Sequence, residues 1–231
     1  MKPEISIIMP ALDEAPQIAE RLKSLQAMRA KGVELIVVDG GSVDGTAAVA
    51  APLADRVLAA PRGRATQMNA GAAASRGRVL LFLHADTTLP ETAVQAVLAA
   101  VDAGASWGRF DVRIGGQHPL LRIIERMMNW RSRVTGIATG DQAIFVRREV
   151  FASVGSYADL PLMEDIALST VLRRLAPPAC LRETVVTSGR RWEQHGVLRT
   201  MLLMWWLRAA FFLGADPERL ALRYGYSPRA S

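Results

Sequence analysis

Short apolar runs alternate with helical patterns over the first hundred residues of the chain. The runs have the length of strands and lie at 5–9, 35–38, 56–58 and 79–83. Between them, apolar residues recur at helical spacing in the segments 16–32, 65–75 and 91–101. Asp13 stands where it would cap the first of these helices. Uniformly apolar strands separated by helices are typical of a sheet covered on both faces, so the pattern predicts an α/β fold with a mainly parallel sheet.

Beyond residue 104 the pattern is looser. Alternation of apolar and polar residues predicts a half-buried strand at 110–114. Further elements are predicted as helices at 120–134 and 165–175 and as a strand at 143–146. Because no flexible linker or internal repeat interrupts the chain, we expect one domain. Its three parts are expected at 1–103, 104–192 and 193–231.

The segment 201–214 is apolar on every side except at Arg208. As a helix it would be about 21 Å long, which is less than the hydrocarbon core of roughly 30 Å that a spanning helix must cross. Such a helix is either buried in the protein or inserted at a membrane surface. Trp205, Trp206 and nearby arginines support the second alternative, and both stay open at this point.

Positive charge is concentrated at the end of the chain. The net charge is +6, and the residues from 173 onward carry ten Arg against four acidic residues. Modules that bind nucleic acid or anionic membranes are also basic. Half of the residues are hydrophobic, which excludes an intrinsically disordered chain. Cys180 is the only cysteine, and the first residues do not have the pattern of a signal peptide, so we expect a cytoplasmic protein.

Three acidic loops follow predicted strands, at 11–14, 39–46 and 84–86. In an open parallel sheet, ligands bind beyond the carboxyl ends of the strands. The glycines of DGGSVDGT at 39–46 would let backbone amides approach a ligand, although such a sequence is also common in simple βα turns. The dinucleotide-binding GxGxxG pattern and the Walker P-loop pattern are both absent from the sequence.

Asp86 and His84 lie just after the predicted strand at 79–83. A carboxylate at this place can hold a divalent cation against a diphosphate, or it can cap the helix that begins near Glu91. His84 can be a ligand, a hydrogen-bond donor to phosphate or a partly buried structural residue, and we favour the last interpretation.

Glu164 and Asp165 precede a predicted helix. One of them could merely favour the helix N-terminus, or the pair could act as a general base and its orienting partner. Arg62 and Arg64 are candidate contacts for a diphosphate. The Arg-Arg-Trp sequence at 190–192 combines charge with an aromatic plane, so it could clamp phosphate or pack at the surface.

Five segments together resemble the family 2 glycosyltransferases in their order and approximate spacing. They are SIIMPALDE, ELIVVDGGSVDGT, NAGAAASRGRVLLFLHAD, GDQAIFVRREVF and LMEDIALSTVLRR. Each segment is a weak signal alone, whereas the five in sequence are specific. The resemblance covers roughly residues 4–192. More narrowly, the chain resembles the small stand-alone glycosyltransferases of arsenosugar-biosynthesis type, a label that says little about the acceptor.

The resemblance implies a GT-A fold, which is a Rossmann-like sheet flanked by helices, here followed by a C-terminal helical segment. It also implies a nucleotide-diphosphate sugar donor, a divalent cation (Mg²⁺ or Mn²⁺) and usually inversion at the anomeric carbon. Asp39 would contact the nucleobase. The family's first nucleotide-binding loop corresponds here to Pro10, Ala11, Asp13 and Glu14.

The same resemblance assigns the catalytic residues. Asp86 matches the last Asp of the DXD motif, which binds metal and diphosphate, and Arg64 would help the metal stabilise the departing diphosphate. Asp165 matches the catalytic base, with Glu164 beside it. The donor-binding set is completed by the arginine–tryptophan pair at Arg191 and Trp192.

The chain departs from the family pattern in three places. Gly40 replaces the second Asp of the first acidic pair, and His84 replaces the first Asp of DXD. These changes affect how the ribose and the metal are held. A Gln of the processive relatives is missing next to 190–192. With no transmembrane helix predicted, this favours a transferase that adds one sugar per event over a polymer synthase.

The sequence therefore predicts a hexosyltransferase-type enzyme that moves a sugar to an acceptor hydroxyl, with Asp165 as base and the metal on Asp86. A nucleotidyltransferase on a similar sheet is the alternative enzyme, and a basic module that binds nucleic acid or membranes is the alternative of another class. We expect no nucleic-acid partner. The segment 201–214 is expected to contact the inner face of the membrane peripherally or to meet a lipid-linked acceptor.

Overall fold

The computed structural model describes residues 2–226, and within them eight strands form one sheet. The strands are β1 (Ile5–Ala11), β2 (Glu34–Asp39), β3 (Arg56–Ala59), β4 (Val79–Phe82), β5 (Thr87–Thr88), β6 (Trp107–Ile114), β7 (Phe145–Arg147) and β8 (Ala179–Thr187). Their order across the sheet is β3-β2-β1-β4-β7-β6-β8-β5. A single sheet therefore runs through both halves of the chain.

Eleven α-helices lie in the described part of the chain. They are α1 (Ala15–Ser24), α2 (Gln26–Ala30), α3 (Thr46–Ala50), α4 (Arg64–Ala74), α5 (Ala93–Asp102), α6 (Pro119–Thr135), α7 (Arg148–Ser153), α8 (Glu164–Leu175), α9 (Arg190–His195), α10 (Val197–Phe212) and α11 (Pro217–Tyr224). Short 3₁₀ turns lie at Ala51–Leu53 and Gly140–Gln142.

The strands β3, β2, β1 and β4 form the parallel half of the sheet. Every residue of β1 and β2 is buried, because alternate side chains enter two separate apolar layers. Ile7 and Leu35 pack in one layer with α1 and α5. Ile8 and Ile36 pack in the other layer with α4 and α8. The expectation of a parallel sheet covered on both faces is confirmed for this half.

Helix α4 lies unusually close to the sheet. A Cβ atom on Gly71 would lie 2.4 Å from Cγ2 of Ile8, so only glycine fits there. This approach fixes the start of α4, and with it Arg64, next to the carboxyl end of β1.

The second half of the sheet is mixed. Strand β7 pairs antiparallel with β4 and β6, β8 runs parallel to β6, and β5 runs antiparallel to β8. No element was predicted over β8, in which only Val185 and Thr187 are buried and Val186 is exposed. The strand predicted at 143–146 begins later, at Phe145, because Ala143 has a positive φ of 47°.

Three predictions about helices need correction. The helix predicted at 16–32 is divided at Leu25 into α1 and α2. The predicted cap at Asp13 is wrong, because Glu14 occupies the N-cap position and Asp13 has a φ of 52°. Asp86 does not cap α5 either, since β5 intervenes and Thr92 is the N-cap of that helix.

The predicted apolar helix at 201–214 is present as part of α10, but it is buried on one side only. Leu207 is fully buried and packs with Ile166 of α8 and Leu220 of α11. Trp205 and Trp206 are 48% and 45% exposed. Within residues 2–226, no helix combines the length and the apolar character that crossing a membrane requires.

Candidate active site

A polar cleft of about 330 Å³ lies beside the carboxyl ends of β1 and β4. Its walls come from the first acidic loop, the start of α4, the loop after β4 and the C-terminal helices. The lining residues are Pro10, Ala11, Leu12, Glu14, Arg62, Arg64, Gln67, His84, Ala85, Asp86, Asp141, Arg191, Tyr224, Gly225 and Tyr226. The cleft thus brings together six of the residues predicted for donor binding, namely Pro10, Ala11, Glu14, Arg64, Asp86 and Arg191.

Asp13 lies outside this lining and joins the first two acidic loops. Its Oδ1 accepts a hydrogen bond from the Val43 amide at 3.0 Å, and its own amide donates to Oγ of Ser42 at 2.9 Å. Asp44 and Thr46 add similar bonds to the amides of Ala15 and Glu14. Asp13 therefore positions the loop that carries Glu14.

Asp39 also lies outside the lining and shapes its own loop. Its Oδ2 accepts hydrogen bonds from the amides of Gly41 and Ser42, each at 3.0 Å, and its Oδ1 accepts from the Ser42 hydroxyl. The contact of Asp39 with a nucleobase stays a prediction. Gln67, which the sequence analysis missed, ties the ends of β1 and β2 through bonds of 2.8 and 2.7 Å to the carbonyls of Ala11 and Val38.

Gly40, which departs from the family pattern, lies against the side chain of Gln67. A Cβ atom at this position would lie 3.1 Å from three side-chain atoms of Gln67. An aspartate at position 40 would therefore require the Gln67 amide to move by a few tenths of an ångström.

His84 is partly buried, as expected, and its side chain also lines the cleft, so its role stays a prediction. Its Nδ1 lies 3.5 Å from Oδ1 of Asp141, and a Cβ on Gly140 would lie 2.3 Å from its Cε1, so glycine makes room for the ring. Burial lowers the pKa of His84, but the hydrogen bond and charge of Asp141 together with the charge of Asp86 outweigh it, and the pKa of the imidazole is raised. Burial raises the pKa of Asp141, but the interaction with His84 and the charges of Arg64 and Arg208 together lower it.

Asp86 and Glu14 place negative charge beside His84. Burial raises the pKa of Glu14, and although the charge of Arg190 opposes this rise, the charge of Asp86 adds to it. Arg190 NH2 lies 3.8 Å from Oε2 of Glu14. The Asp86 carboxylate accepts from the Thr87 hydroxyl at 3.3 Å and faces both this cleft and a neighbouring cavity of about 300 Å³.

A second, small cavity of about 50 Å³ adjoins the cleft and holds the two predicted catalytic carboxylates. Oδ2 of Asp165 accepts from the Gly140 amide at 2.7 Å, and Oδ1 accepts from the Ile166 amide at 2.7 Å. Glu164 is 2% exposed, and its Oε1 lies 3.7 Å from NH1 of Arg64. Burial raises the pKa of Glu164 even though the charge of Arg64 lowers it.

The C-terminal helices form the outer wall of the cleft, which sequence reasoning missed. Nε of Arg64 donates to the Tyr226 hydroxyl at 3.2 Å. Arg191 donates to the Tyr224 carbonyl at 3.1 Å, and its guanidinium lies 3.9 Å from the centre of the Tyr224 ring. Trp192 points elsewhere and packs against an apolar cluster that includes Ile114. Of the predicted arginine–tryptophan pair, only the arginine therefore lines the cleft, and the tryptophan packs in the apolar cluster.

The residues of the cleft fit a divalent cation only together with a diphosphate. Within residues 2–226, no three His, Cys, Asp or Glu side chains converge into a preformed metal site. Mg²⁺ is commonly held by one or two carboxylates together with substrate phosphates. Asp86 can supply one such carboxylate. Glu14, whose pKa the charge of Asp86 raises, lines the same cleft and can supply a second.

Comparison with known proteins identifies the family. The model of glycosyl transferase family 2 matches residues 6–154. The chain belongs to this family. Among the relatives of this family 2 glycosyltransferase, a PGL/p-HBAD biosynthesis glycosyltransferase of Mycobacterium bovis is 31% identical over 172 residues, which cover 67% of the chain and 63% of the relative. The probable glycosyltransferase YdaM of Bacillus subtilis is 26% identical over 218 residues, which cover 84% of the chain and 51% of the relative. The chain therefore spans about half to two thirds of the length of these relatives.

Solved structures show the same fold. TarS 1-349 of S. aureus superimposes with a TM-score of 0.66 at 16% identity, covering 82% of this chain and 61% of that chain. The mannosyltransferase PcManGT from Pyrobaculum calidifontis, solved with GDP-Man and Mn²⁺, gives a TM-score of 0.62 at 21% identity, covering 80% and 57%. The predicted GT-A fold is confirmed, and the family match favours glycosyl transfer over the nucleotidyltransferase alternative.

Proposed function

We propose that this family 2 glycosyltransferase moves one sugar from a nucleotide-diphosphate sugar to an acceptor hydroxyl, with inversion at the anomeric carbon. The junction of the two cavities carries the proposal. The polar cleft and the small cavity share Arg64, His84, Asp141 and Tyr224, and the small cavity is lined by Glu164 and Asp165. A diphosphate in the cleft would direct its sugar towards these two carboxylates.

The reaction is a single displacement. The acceptor oxygen forms a bond to the anomeric carbon while the bond between that carbon and the diphosphate oxygen breaks. Asp165 takes the proton of the attacking hydroxyl, and the nucleoside diphosphate leaves with the electron pair of the broken bond. Attack from the side opposite the leaving group inverts the configuration.

Asp165 suits the role of base better than Glu164. The amides of Gly140 and Ile166 orient its carboxylate, and its side chain is only half-buried. Glu164 is buried behind it, and its nearest cation is Arg64. Glu164 therefore acts as the positioning residue that holds Arg64 at the junction.

The leaving diphosphate would be stabilised by positive groups already in the cleft. Arg64 and Arg191 line it, and the His84 ring lies beside them. A divalent cation held by Asp86 would supply further charge neutralisation at the diphosphate. Fixed cations aimed at developing charge lower the barrier without reorganising during the reaction.

The donor class is supported by the neighbours of this fold. TarS has been solved with UDP-GlcNAc, and glucosyl-3-phosphoglycerate synthase from Mycobacterium tuberculosis has been solved with UDP and Mn²⁺. By extension we expect a nucleoside diphosphate sugar here. Asp39, at the end of β2, is expected to contribute to the nucleobase end of the site through the loop that it holds.

Peripheral contact with a membrane belongs to the same proposal. The exposed face of α10 carries Leu202, Trp205 and Trp206, and Phe212 and Leu213 continue it. Arg223 lies 4.8 Å from the ring centre of Trp206. Paired tryptophans beside arginines suit the boundary between headgroups and acyl chains.

A thermal-shift screen of nucleoside diphosphates and their sugars, with Mn²⁺ or Mg²⁺, tests the donor assignment. A ligand at about 100 times its dissociation constant adds roughly 2.7 kcal/mol to the free energy of unfolding. We expect stabilisation by at least one diphosphate and its sugar, and loss of the metal-dependent part in Asp86→Asn. Asp102→Asn is the matched control, because Asp102 is exposed and pairs with Arg78 away from the cleft. No stabilisation by any diphosphate would contradict the proposal.

A further inference from the structure

An apolar groove of about 240 Å³ lies between α6 and α10, outside the donor cleft. Helix α6 supplies most of its wall, and α10 closes the opposite side. Its apolar lining consists of Ile124, Met127, Met128, Trp130, Met201 and Trp205. Arg131 and Arg208 also line this groove. Two arginines in an otherwise apolar groove need an explanation, because burying a charge without a partner is costly.

Both arginines have buried donor atoms without a partner among the described residues. Nε and Nη2 of Arg131 and Nε of Arg208 are buried without a hydrogen-bond partner, and neither side chain forms an ion pair within residues 2–226. Arg109, buried nearby, is different because it pairs with Asp111. Asp111 also pairs with Arg133, so its charge is already shared between two guanidinium groups.

Arg131 and Arg208 both remain cations at neutral pH. Burial, together with the charge of Arg208, lowers the pKa of Arg131 to about 10, and burial lowers the pKa of Arg208. Asp165 and Asp141 act on Arg208 only through space and form no ion pair with it. The groove therefore holds guanidinium groups whose buried donors have no partner among the described residues and whose charge Asp165 and Asp141 offset only without direct contact.

The groove leads to the catalytic carboxylates. Arg208 lines the groove on one side and the small cavity of Glu164 and Asp165 on the other. A molecule whose apolar part occupies the groove would thus bring its polar end to Arg208, at the border of the cavity that holds Asp165.

We infer that the acceptor is an amphiphile whose apolar chain binds between α6 and α10 and whose anionic group contacts Arg131 and Arg208, with its hydroxyl facing Asp165. The inference rests on the proposed glycosyl transfer and names the acceptor class for it. Charge complementarity selects an anion, because only an anion neutralises the two guanidinium groups. The apolar lining selects a chain, since a free anion would leave the groove unfilled.

The test compares three probes by titration calorimetry on the intact protein: octyl phosphate, octyl glucoside and inorganic phosphate, each below any micelle concentration. Octyl phosphate combines the chain with the anion, whereas each of the other two carries one of these features. We expect octyl phosphate to bind at least tenfold more tightly than either. Equal affinity for octyl phosphate and octyl glucoside would overturn the anionic site, and equal affinity for octyl phosphate and inorganic phosphate would overturn the chain site.

Variants of the two arginines test whether they cause the preference for octyl phosphate over octyl glucoside. Arg131→Met and Arg208→Met should bind octyl phosphate no better than octyl glucoside. Arg126→Met and Arg199→Met are matched controls, because these arginines are exposed on α6 and α10 and line no part of the groove. An unchanged phosphate preference in the groove variants would contradict the inference. If a variant fails to fold, the comparison of the three probes on the wild-type protein still tests the inference.

Binding of nucleoside diphosphates, measured on the same samples, separates this inference from the proposed function. Diphosphate binding without selective octyl phosphate binding would overturn the acceptor class alone. If the wild-type protein binds no nucleoside diphosphate, the donor assignment is overturned instead.

Discussion

Replacement of Arg64 by methionine probes the junction between the two cavities. In the folded protein the Arg64 guanidinium lies 3.7 Å from the Glu164 carboxylate and 3.2 Å from the Tyr226 hydroxyl. The side chain of Glu164 is 3% exposed. Arg64→Met therefore leaves a buried carboxylate without its nearest cation, while the methionine keeps much of the apolar volume of the arginine stem.

The magnitude follows from this geometry. Two unit charges about 4 Å apart interact by about 4 kcal/mol at an effective dielectric constant of 20, and removing one partner of a buried pair costs about 3–5 kcal/mol. We expect the lower end, about 3 kcal/mol at pH 8, because the arginine side chain is 28% exposed. Glu164 can avoid part of this cost by binding a proton, and burial already raises its pKa.

The loss should therefore depend on pH. The charge of Arg64 lowers the pKa of Glu164, so its removal raises that pKa further. A carboxyl group with a higher pKa in the folded state binds more protons folded than unfolded, and the stability of the protein then falls as pH rises between the two pKa values. Arg64→Met should consequently be destabilised clearly less at pH 5 than at pH 8.

Urea unfolding at the two pH values measures this difference. The comparison uses the unchanged protein, Arg64→Met, Glu164→Gln and the double variant, with Arg219→Met as a control for loss of an exposed arginine. Glu164→Gln should restore much of the stability lost in Arg64→Met, since it removes the unpaired charge. A loss of equal size at both pH values, without rescue in the double variant, would refute the assigned Arg64–Glu164 pair.

Three further predictions concern separate parts of the molecule. Asp86→Asn should lower the affinity for a nucleoside diphosphate in Mn²⁺ to the value measured in EDTA, and a variant that keeps the metal effect would remove Asp86 from the metal site. Asp39→Ala should weaken binding of the free nucleoside diphosphate with or without metal, because it releases the loop amides of Gly41 and Ser42; equal binding would take Asp39 out of the donor site. The protein should sediment with anionic vesicles at low salt and be released at high salt. Absence of binding at low salt would leave Trp205 and Trp206 without a membrane role.

The local sequence pattern was sufficient to locate site residues that lie at the end of a strand or at the start of a helix. The strand ends beside Ala11 and Asp86 could be located because the apolar runs stop there, and the cleft does form at these ends. The pair Glu164 and Asp165 also lies at a predicted helix start, so its place at the N-terminus of α8 follows from local pattern.

The outer wall and the groove could not be found in this way. Tyr224 and Tyr226 reach the cleft from a segment about 160 residues beyond Arg64, and no local pattern indicates such a contact. In the sequence, Arg131 is one of several arginines on an amphipathic helix. Only the packing of α6 against α10 shows that donor atoms of its guanidinium are buried without a partner. Strand β8 was missed because its apolar residues are grouped at 179–181 and 185–186 and do not alternate with polar ones, and its place in the sheet comes from pairing with β6.

Turnover of Asp165→Asn tests the central claim most directly. With donor and acceptor saturating and chemistry limiting the rate, the variant should bind the nucleoside diphosphate as the unchanged protein does while turnover falls by about 10² to 10⁴, the usual contribution of a general base. Asn keeps the size of the side chain, but its single amide oxygen can accept from only one of the two amides that Asp165 binds, those of Gly140 and Ile166, so the binding measurement also checks that the site is intact. Unchanged turnover in this variant would contradict the assignment of Asp165 as the base that takes the proton of the acceptor.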